Sequence, residues 1–178
     1  MSRQVLLTAF EPFGFVRGLV MNRNRSQEVC ELAGAGFASA VDYRVLPVGP
    51  EAIPQLDLAM AAKPKAMLLT GEDASEVAHA RRIEPMAFDP GQQVLGFRFP
   101  NARQVVSRFA KTLEPLAAEC GFVVRQGIGT YWCNRVYYHT LASADGETPV
   151  VFVHLGLWAD PAIQANGIAR MLSVMIGF

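Results

Sequence analysis

Short strand-like segments that alternate with helical segments most constrain the fold of this chain. The strand-like segments, in chain order, are "QVLLTAF" (Gln4 to Phe10), "ASAVDYRVLPV", "KAMLLTG", "GFVVRQG" and "TPVVFVHLGL". Most of them are continuous apolar runs, which is typical of strands buried on both faces of a parallel sheet. This alternation predicts an α/β fold: a three-layer α/β/α sandwich with a mostly parallel (mixed) central sheet, in one domain over residues 1–178.

Helix signals lie between the strands. Ser26 is a candidate cap for a helix to Leu32, and Pro50 opens a helix to about residue 62. Asn101 is a candidate N-cap for a helix with Val105, Val106, Phe109 and Leu113 on its apolar face, and Asp160-Pro161 begins the last helix. Because sites in such sheets form at the carboxyl ends of strands, the loops after Phe10, Gly71, Gly127 and Val153 are the first candidates.

Charge and composition exclude several classes of function. Lys plus Arg and Asp plus Glu both number 16, which gives no electrostatic basis for binding nucleic acid or an anionic membrane. No apolar run approaches the length of a membrane span. The three cysteines are widely spaced without CxxC, so neither a zinc site nor a disulfide framework is predicted. The N-terminal residues lack signal-peptide character, and we expect a cytoplasmic protein.

Cys133 lies in "GTYWCNRVYYHTL" (Gly129 to Leu141), after a turn and at the start of a predicted helix. One interpretation is a buried, inert thiol, because free cysteine is among the most buried residue types. The other is a nucleophile, because a helix N-terminus stabilises a thiolate and can hold an oxyanion. Cys30 and Cys120 lie within or at the end of predicted helices, so Cys133 is the candidate if one cysteine is reactive.

A cysteine nucleophile requires an imidazole base, and the chain has three histidines. His139 follows Cys133 on the same predicted helix and points about 120° away from it. His79 lies in a polar, irregular segment and is interpreted as a surface residue. His154 ends the run "VVFVH", where an α/β sheet presents catalytic groups, although a core histidine bonded to the backbone is the alternative.

A third group should orient the imidazole. Spacing alone does not choose among Glu11, Glu72, Asp73 and Glu84. Glu84 lies in the otherwise apolar "IEPMAF", where a buried carboxylate is rarely accidental. A strand-edge glutamate in water fits the same composition.

These motifs together resemble the pyroglutamyl peptidase I family, also called pyrrolidone-carboxylate peptidases. "LLTAFEPFG" is similar to the family's T-G-F-E-P-F-G-G loop, "NRSQE" to its N-P-S-W-E segment, and "RVLPV" to a strand end that carries L-P. "RRIEPMAFD" is similar to a stretch ending E-x-x-A-x-N, the cysteine motif to G-x-Y-x-C-N-x-x-Y-Y-x-x-L, and "VFVHL" to F-I-H-V. The matches keep their order and cover nearly the whole chain.

The resemblance implies an activity and its site residues. Cys133 would be the nucleophile, His154 the base and Glu84 the residue that orients it. The residues expected to bind substrate are Phe10, Phe13, Gly71, Glu72 and Trp132. The implied reaction removes an N-terminal pyroglutamyl or similar small acyl residue from a peptide or small acyl-amide substrate, in a homotetramer, with no metal and no organic cofactor.

The chain departs from the family pattern in the loops that shape the acyl pocket. Phe15 replaces the second glycine of the F-G-G turn, the loop that follows is longer, and Arg25 replaces a proline. Glu72 replaces a glutamine, so we expect a negative charge where the family presents a neutral amide. These changes motivate an alternative, a non-catalytic or re-purposed relative that binds a small peptide or metabolite.

Overall fold

The computed structural model describes residues 5–16, 19–20, 22–73, 81–94, 97–98, 102–109, 112–126 and 128–177. Its strands are β1 (Val5–Phe10), β2 (Phe15–Val16), β3 (Leu19–Val20), β4 (Val41–Leu46), β5 (Ala66–Asp73), β6 (Arg82–Glu84), β7 (Met86–Phe88), β8 (Gln93–Val94), β9 (Phe97–Arg98), β10 (Gln104–Val106), β11 (Val123–Val124) and β12 (Val150–Gly156). Its α-helices are α1 (Arg25–Gly34), α2 (Ala52–Met60), α3 (Leu113–Glu119), α4 (Trp132–Ser143) and α5 (Pro161–Ile176).

Six strands form the central sheet in the order β11–β6–β12–β5–β1–β4. The strands β4, β1, β5 and β12 are parallel to one another, whereas β6 runs antiparallel to β12. Helices α1 and α5 pack on one face of the sheet, and α2 and α4 pack on the other. The predicted α/β/α sandwich with a mostly parallel, mixed sheet is therefore confirmed.

Side chains of the central strands alternate between two apolar clusters, one on each face of the sheet. Leu68 and Val153 belong to the cluster with α1 and α5, whereas Leu69 and Phe152 belong to the cluster with α2 and α4. Because of this alternation, a polar side chain near the end of a strand meets only the polar side chains on the same face of the sheet. No helix among the described residues is long and apolar enough to span a membrane.

The helix predicted around Val105 and Val106 is wrong. Strand β10 occupies this segment and pairs antiparallel with β7, and helix α3 begins only at Leu113. The Ser107 hydroxyl also donates to Val150 O at 2.8 Å, which fixes the end of β10 against the central sheet. Pairing with β7 thus overrides the local helical spacing. The proposed cap, Asn101, lies outside the described residues.

Helix α1 is capped by Asn24 rather than by Ser26. The Asn24 Oδ1 accepts from Ser26 N at 2.9 Å, and its Nδ2 donates to Glu11 O at 3.1 Å. Ser26 Oγ accepts from Phe10 N at 3.0 Å. The start of α1 therefore holds the loop that follows β1.

Replacing Asn24 with Ala should lower the free energy of unfolding by about 1–2 kcal/mol, because helix α1 loses its cap and the loop loses its anchor. Urea denaturation followed by circular dichroism measures this. Gln27→Ala is the matched control, because Gln27 Nε2 makes its bond to Glu31 at the exposed surface of the same helix. Equal midpoints for the two variants would contradict the assigned role of Asn24.

Candidate active site

Cys133 is the second residue of α4, whose N-cap residue, Tyr131, has no side-chain capping bond. The next residue, Asn134, is fully buried and makes paired bonds with Phe88 of β7. Its Oδ1 accepts from Phe88 N and its Nδ2 donates to Phe88 O, both at 2.8 Å. The first turn of α4, with main-chain N–H groups that lack partners within the helix, is thereby fixed over the sheet.

Gly71 lies directly beneath Cys133. A Cβ at Gly71 would be 2.8 Å from Cys133 Sγ and 2.9 Å from Phe152 Cζ. Gly71 also pairs in register with His154 of the neighbouring strand β12. The missing side chain therefore lets the half-buried thiol approach the sheet next to the imidazole.

His154 connects the thiol to a carboxylate. Its Nδ1 is 2.8 Å from Glu84 Oε1, and the Cys133 thiol lies above Gly71, the residue that pairs with His154 across β5 and β12. A carboxylate only accepts, so Nδ1 carries a hydrogen and Nε2 is left for Cys133. Phe152 packs edge-on against the imidazole, with ring centroids 5.0 Å apart. Burial lowers the pKa of His154, but the hydrogen bonds and charges of Cys133 and Glu84 outweigh it and raise the pKa to about 9.

Glu84 is fully buried, and its carboxylate is bonded on both oxygens. Oε2 accepts from Ile128 N at 2.9 Å, while Oε1 faces His154. The Tyr137 hydroxyl donates to Glu84 O at 2.8 Å. The antiparallel pairing of β6 with β12 places Glu84 opposite Phe152, two residues before His154, so both functional side chains lie on the α4 face.

Glu72 does not share this face. Its carboxylate Oε2 accepts from Arg25 N at 2.6 Å, at the start of α1 on the opposite side of the sheet. Burial raises the pKa of Glu72 above its ordinary value, against the lowering effect of the bond from Arg25. The negative charge that the sequence leads us to expect in the acyl pocket is therefore directed away from Cys133.

The other residues expected to bind substrate have different surroundings. Phe10 is buried in the cluster with α2 and α4, whereas Phe13 is 41% exposed in the loop beyond it. Trp132 is half-buried, with the Arg135 guanidinium 5.3 Å from its ring centroid.

Besides His154, the chain has two other histidines. His139 faces Asp57 of α2, with its Nε2 2.6 Å from Asp57 Oδ1, as expected for a histidine that does not meet Cys133. His79 lies outside the described residues.

The sequence offers Asp73 as one candidate carboxylate, but it does not predict the pairing of Asp73 with Arg82 beside the catalytic candidates. Arg82 Nη2 lies 2.6 Å from Asp73 Oδ2, and Arg82 Nε lies 3.5 Å from Glu84 Oε1. The signal for Arg82 is its position two residues before Glu84, which places both on one face of a strand. Within the described ranges, no group of three or more His, Cys, Asp or Glu side chains is arranged to hold a metal.

Comparisons with known proteins give the same fold. No protein-family model and no curated protein matches the sequence. The solved pyrrolidone carboxyl peptidase from Thermus thermophilus has a TM-score of 0.74 at 25% identity, over 95% of this chain and 98% of that one. Pyroglutamyl peptidase I from Bacillus amyloliquefaciens has a TM-score of 0.72 at 18% identity, over 99% and 98%. Pyrrolidone carboxyl peptidase from Thermococcus litoralis has a TM-score of 0.75 at 18% identity, over 98% and 94%. The predicted family resemblance is confirmed, at the low identity of a divergent member.

Replacing Gly71 with Ala should displace Cys133 or Phe152, because the added methyl has no room beside either side chain. We expect slower alkylation of Cys133 by iodoacetamide and a loss of about 1–3 kcal/mol in unfolding free energy. Gly36→Ala is the control, since a Cβ there meets nothing within 4 Å. A normal alkylation rate in a folded Gly71→Ala protein would contradict the close approach.

Replacing Cys133 with Ala should lower the pKa of His154 from about 9, because the imidazolium form loses one of the two groups that stabilise it. In the wild type, the stability that comes from this raised pKa is fully present below pH 6.5 and is lost as pH rises through about 9. Proton NMR of the imidazole across this pH range measures the change. Cys120→Ala, a substitution in the cluster with α1 and α5, should leave the titration of His154 as in the wild type. An identical titration in Cys133→Ala would rule out the Cys133 contact.

Proposed function

We propose that this chain is a cysteine-type omega-peptidase that removes an N-terminal pyroglutamyl or similar small acyl residue from peptides. The observation that carries the proposal is the grouping of Cys133, His154 and Glu84: Glu84 Oε1 is 2.8 Å from His154 Nδ1, and the Cys133 thiol lies above Gly71, which pairs with His154, in a sheet with the pyrrolidone carboxyl peptidase fold. The peptidase activity of the structural neighbours supports it.

In the proposed acylation step, His154 holds the proton of the Cys133 thiol, and the thiolate attacks the acyl carbonyl carbon. A carbon–sulfur bond forms as the carbonyl oxygen becomes an oxyanion, and main-chain N–H groups of the first turn of α4 stabilise that charge. The imidazolium then donates its proton to the departing nitrogen, the carbon–nitrogen bond breaks, and the shortened peptide leaves as an amine. Glu84 keeps Nδ1 occupied, so that Nε2 performs each transfer.

In the proposed deacylation step, His154 takes a proton from water while the water oxygen attacks the thioester carbon. The carbon–sulfur bond breaks, the free acid leaves, and the Cys133–His154 pair is restored. A single imidazole serves as acid in the first step and as base in the second, and Glu84 Oε1 holds its Nδ1 throughout.

The direction of Glu72 is compatible with a neutral acyl group at Cys133. Glu72, the acidic replacement in the pocket segment, is bonded to Arg25 N on the opposite face of the sheet. A lactam N–H and carbonyl would therefore not meet this carboxylate. The exposed ring of Phe13 offers an apolar surface on which a flat five-membered ring can pack.

The alternative of a non-catalytic relative is not favoured, because the nucleophile, base and orienting carboxylate keep their contacts. Hydrolysis of esters or aryl amides by the same residues is a variant of the proposed chemistry and is separated by a substrate panel. Homotetrameric assembly and a cytoplasmic location remain predictions of the resemblance and of the sequence.

Hydrolysis of a fluorogenic pyroglutamyl amide tests the proposal. Wild type should release the fluorophore, and Cys133→Ser should lose at least about 1,000-fold in kcat/KM while remaining folded. Cys120→Ser is the control, because this thiol is buried in the cluster on the other face of the sheet. Turnover that survives Cys133→Ser would remove Cys133 from the mechanism, and turnover only of other acyl amides would redefine the acyl group.

A further inference from the structure

An ion pair that the proposed mechanism does not use lies beside the imidazole. Arg82 Nη2 is 2.6 Å from Asp73 Oδ2, and both side chains are largely buried, with 13% and 10% of their surface exposed. A buried ion pair is weak evidence for a role in stability, because the cost of removing both charges from water can exceed their attraction. The position of this ion pair next to His154 is therefore better evidence for its role than its burial.

Strand register places this ion pair beside His154, at the carboxyl ends of β5 and β12. Arg82 pairs with His154 across β6 and β12, and Asp73 pairs with Gly156 across β5 and β12. The Arg82 side chain must therefore cross β12, the central of the three strands, to reach Asp73. Gly156, the β12 residue that pairs with Asp73, has no side chain. His154 is left only 4% exposed.

Arg82 also faces the same carboxylate oxygen as the imidazole. Its Nε is 3.5 Å from Glu84 Oε1, the oxygen that lies 2.8 Å from His154 Nδ1. Glu84 Oε1 therefore lies between a permanent cation and the imidazole, while Asp73 holds the far end of the guanidinium.

We propose that Arg82 is a positioning residue for this site: its ion pair with Asp73 keeps the guanidinium beside Glu84, where it acts through its charge, without a hydrogen bond from Nε to any described residue, on the Glu84 carboxylate and on the imidazole. This inference rests on the proposed function for its catalytic consequence. Its electrostatic part concerns only the charges of the chain itself and is testable without a substrate.

The polar and charged groups around His154 come from three elements. They are Cys133 and Tyr137 from α4, Glu84 and Arg82 from β6, and Asp73 from β5. Glu72 points to the opposite face and does not contribute to this set. Removing the cation of Arg82 should favour the imidazolium, whereas removing the anion of Asp73 should disfavour it.

The test compares Arg82→Gln and Asp73→Asn in the full-length protein. Proton NMR titration should show the pKa of His154 raised by roughly one unit in Arg82→Gln and lowered in Asp73→Asn. The pH dependence of Cys133 alkylation should move in the same two directions. With an active substrate, Arg82→Gln should lose roughly 10- to 100-fold in kcat with little change in KM, and Arg82→Lys should recover part of the loss.

Arg81→Gln is the matched control. It removes the same charge from the adjacent residue, whose guanidinium lies 5.8 Å from the Phe122 ring centroid on the other face of the sheet. The His154 titration should remain that of the wild type in this variant.

The proposal would be overturned if the pKa of His154 moved in the same direction in Arg82→Gln and Asp73→Asn. A loosened Glu84 carboxylate alone would change that pKa alike in both variants. An unchanged titration in both folded proteins would also overturn it. Should wild type fail to hydrolyse any acyl amide while the opposite shifts are observed, the proposed function fails and the role of Arg82 stands.

Discussion

The buried carboxylate of Glu84 is the group on which the site depends. A carboxylate removed from water is costly unless donors satisfy it, and here Ile128 N and His154 bond its two oxygens while Arg82 adds a cation. Those donors come from the antiparallel pairing of β6 with β12 and from the segment that leads into α4. The same contacts that make burial of Glu84 tolerable therefore orient His154 toward Cys133.

The two faces of the sheet separate the catalytic candidates from the contact that joins β5 to the start of α1. The α4 face carries Cys133, His154 and Glu84, whereas the α1 face carries the contact between Glu72 and Arg25 N. A proline at position 25, as the family resemblance leads one to expect, would have no N–H to donate. Arg25 and Glu72 thus appear in the sequence as separate departures but form a single contact in the structure.

Sequence patterns predicted the parts of the fold that depend on local signals. The apolar runs of β1, β5 and β12 and the Asp160-Pro161 start of α5 belong to this group. The segment around Val105 did not, because β10 is determined by pairing with β7 rather than by its own helical spacing. Asn24 caps α1 through a local bond from Ser26 N, whereas its second bond, to Glu11 O, joins residues far apart in the chain and is not readable from a local pattern.

For the site, the sequence located candidates but not their directions. Cys133, His154 and Glu84 were identifiable as candidates from a helix start, a strand end and a carboxylate in an apolar run. The direction of the Glu72 side chain depends on the alternation of side chains along β5. Glu72 directly follows Gly71 and therefore points to the other face of the sheet. The pairing of Arg82 with Asp73 requires knowledge that β12 lies between β6 and β5, which no local pattern contains.

This separation explains how a chain at 18–25% identity to solved peptidases can keep their fold and an assembled set of catalytic candidates. The contacts of Glu84, His154 and Cys133 run through β6, β12 and the first turn of α4, and Gly71 supplies the space between them. The Arg25–Glu72 contact joins the start of α1 to the other face of β5. Because this contact involves none of the donors that hold Glu84, the departures from the family pattern at positions 25 and 72 leave the Glu84–His154 contact in place.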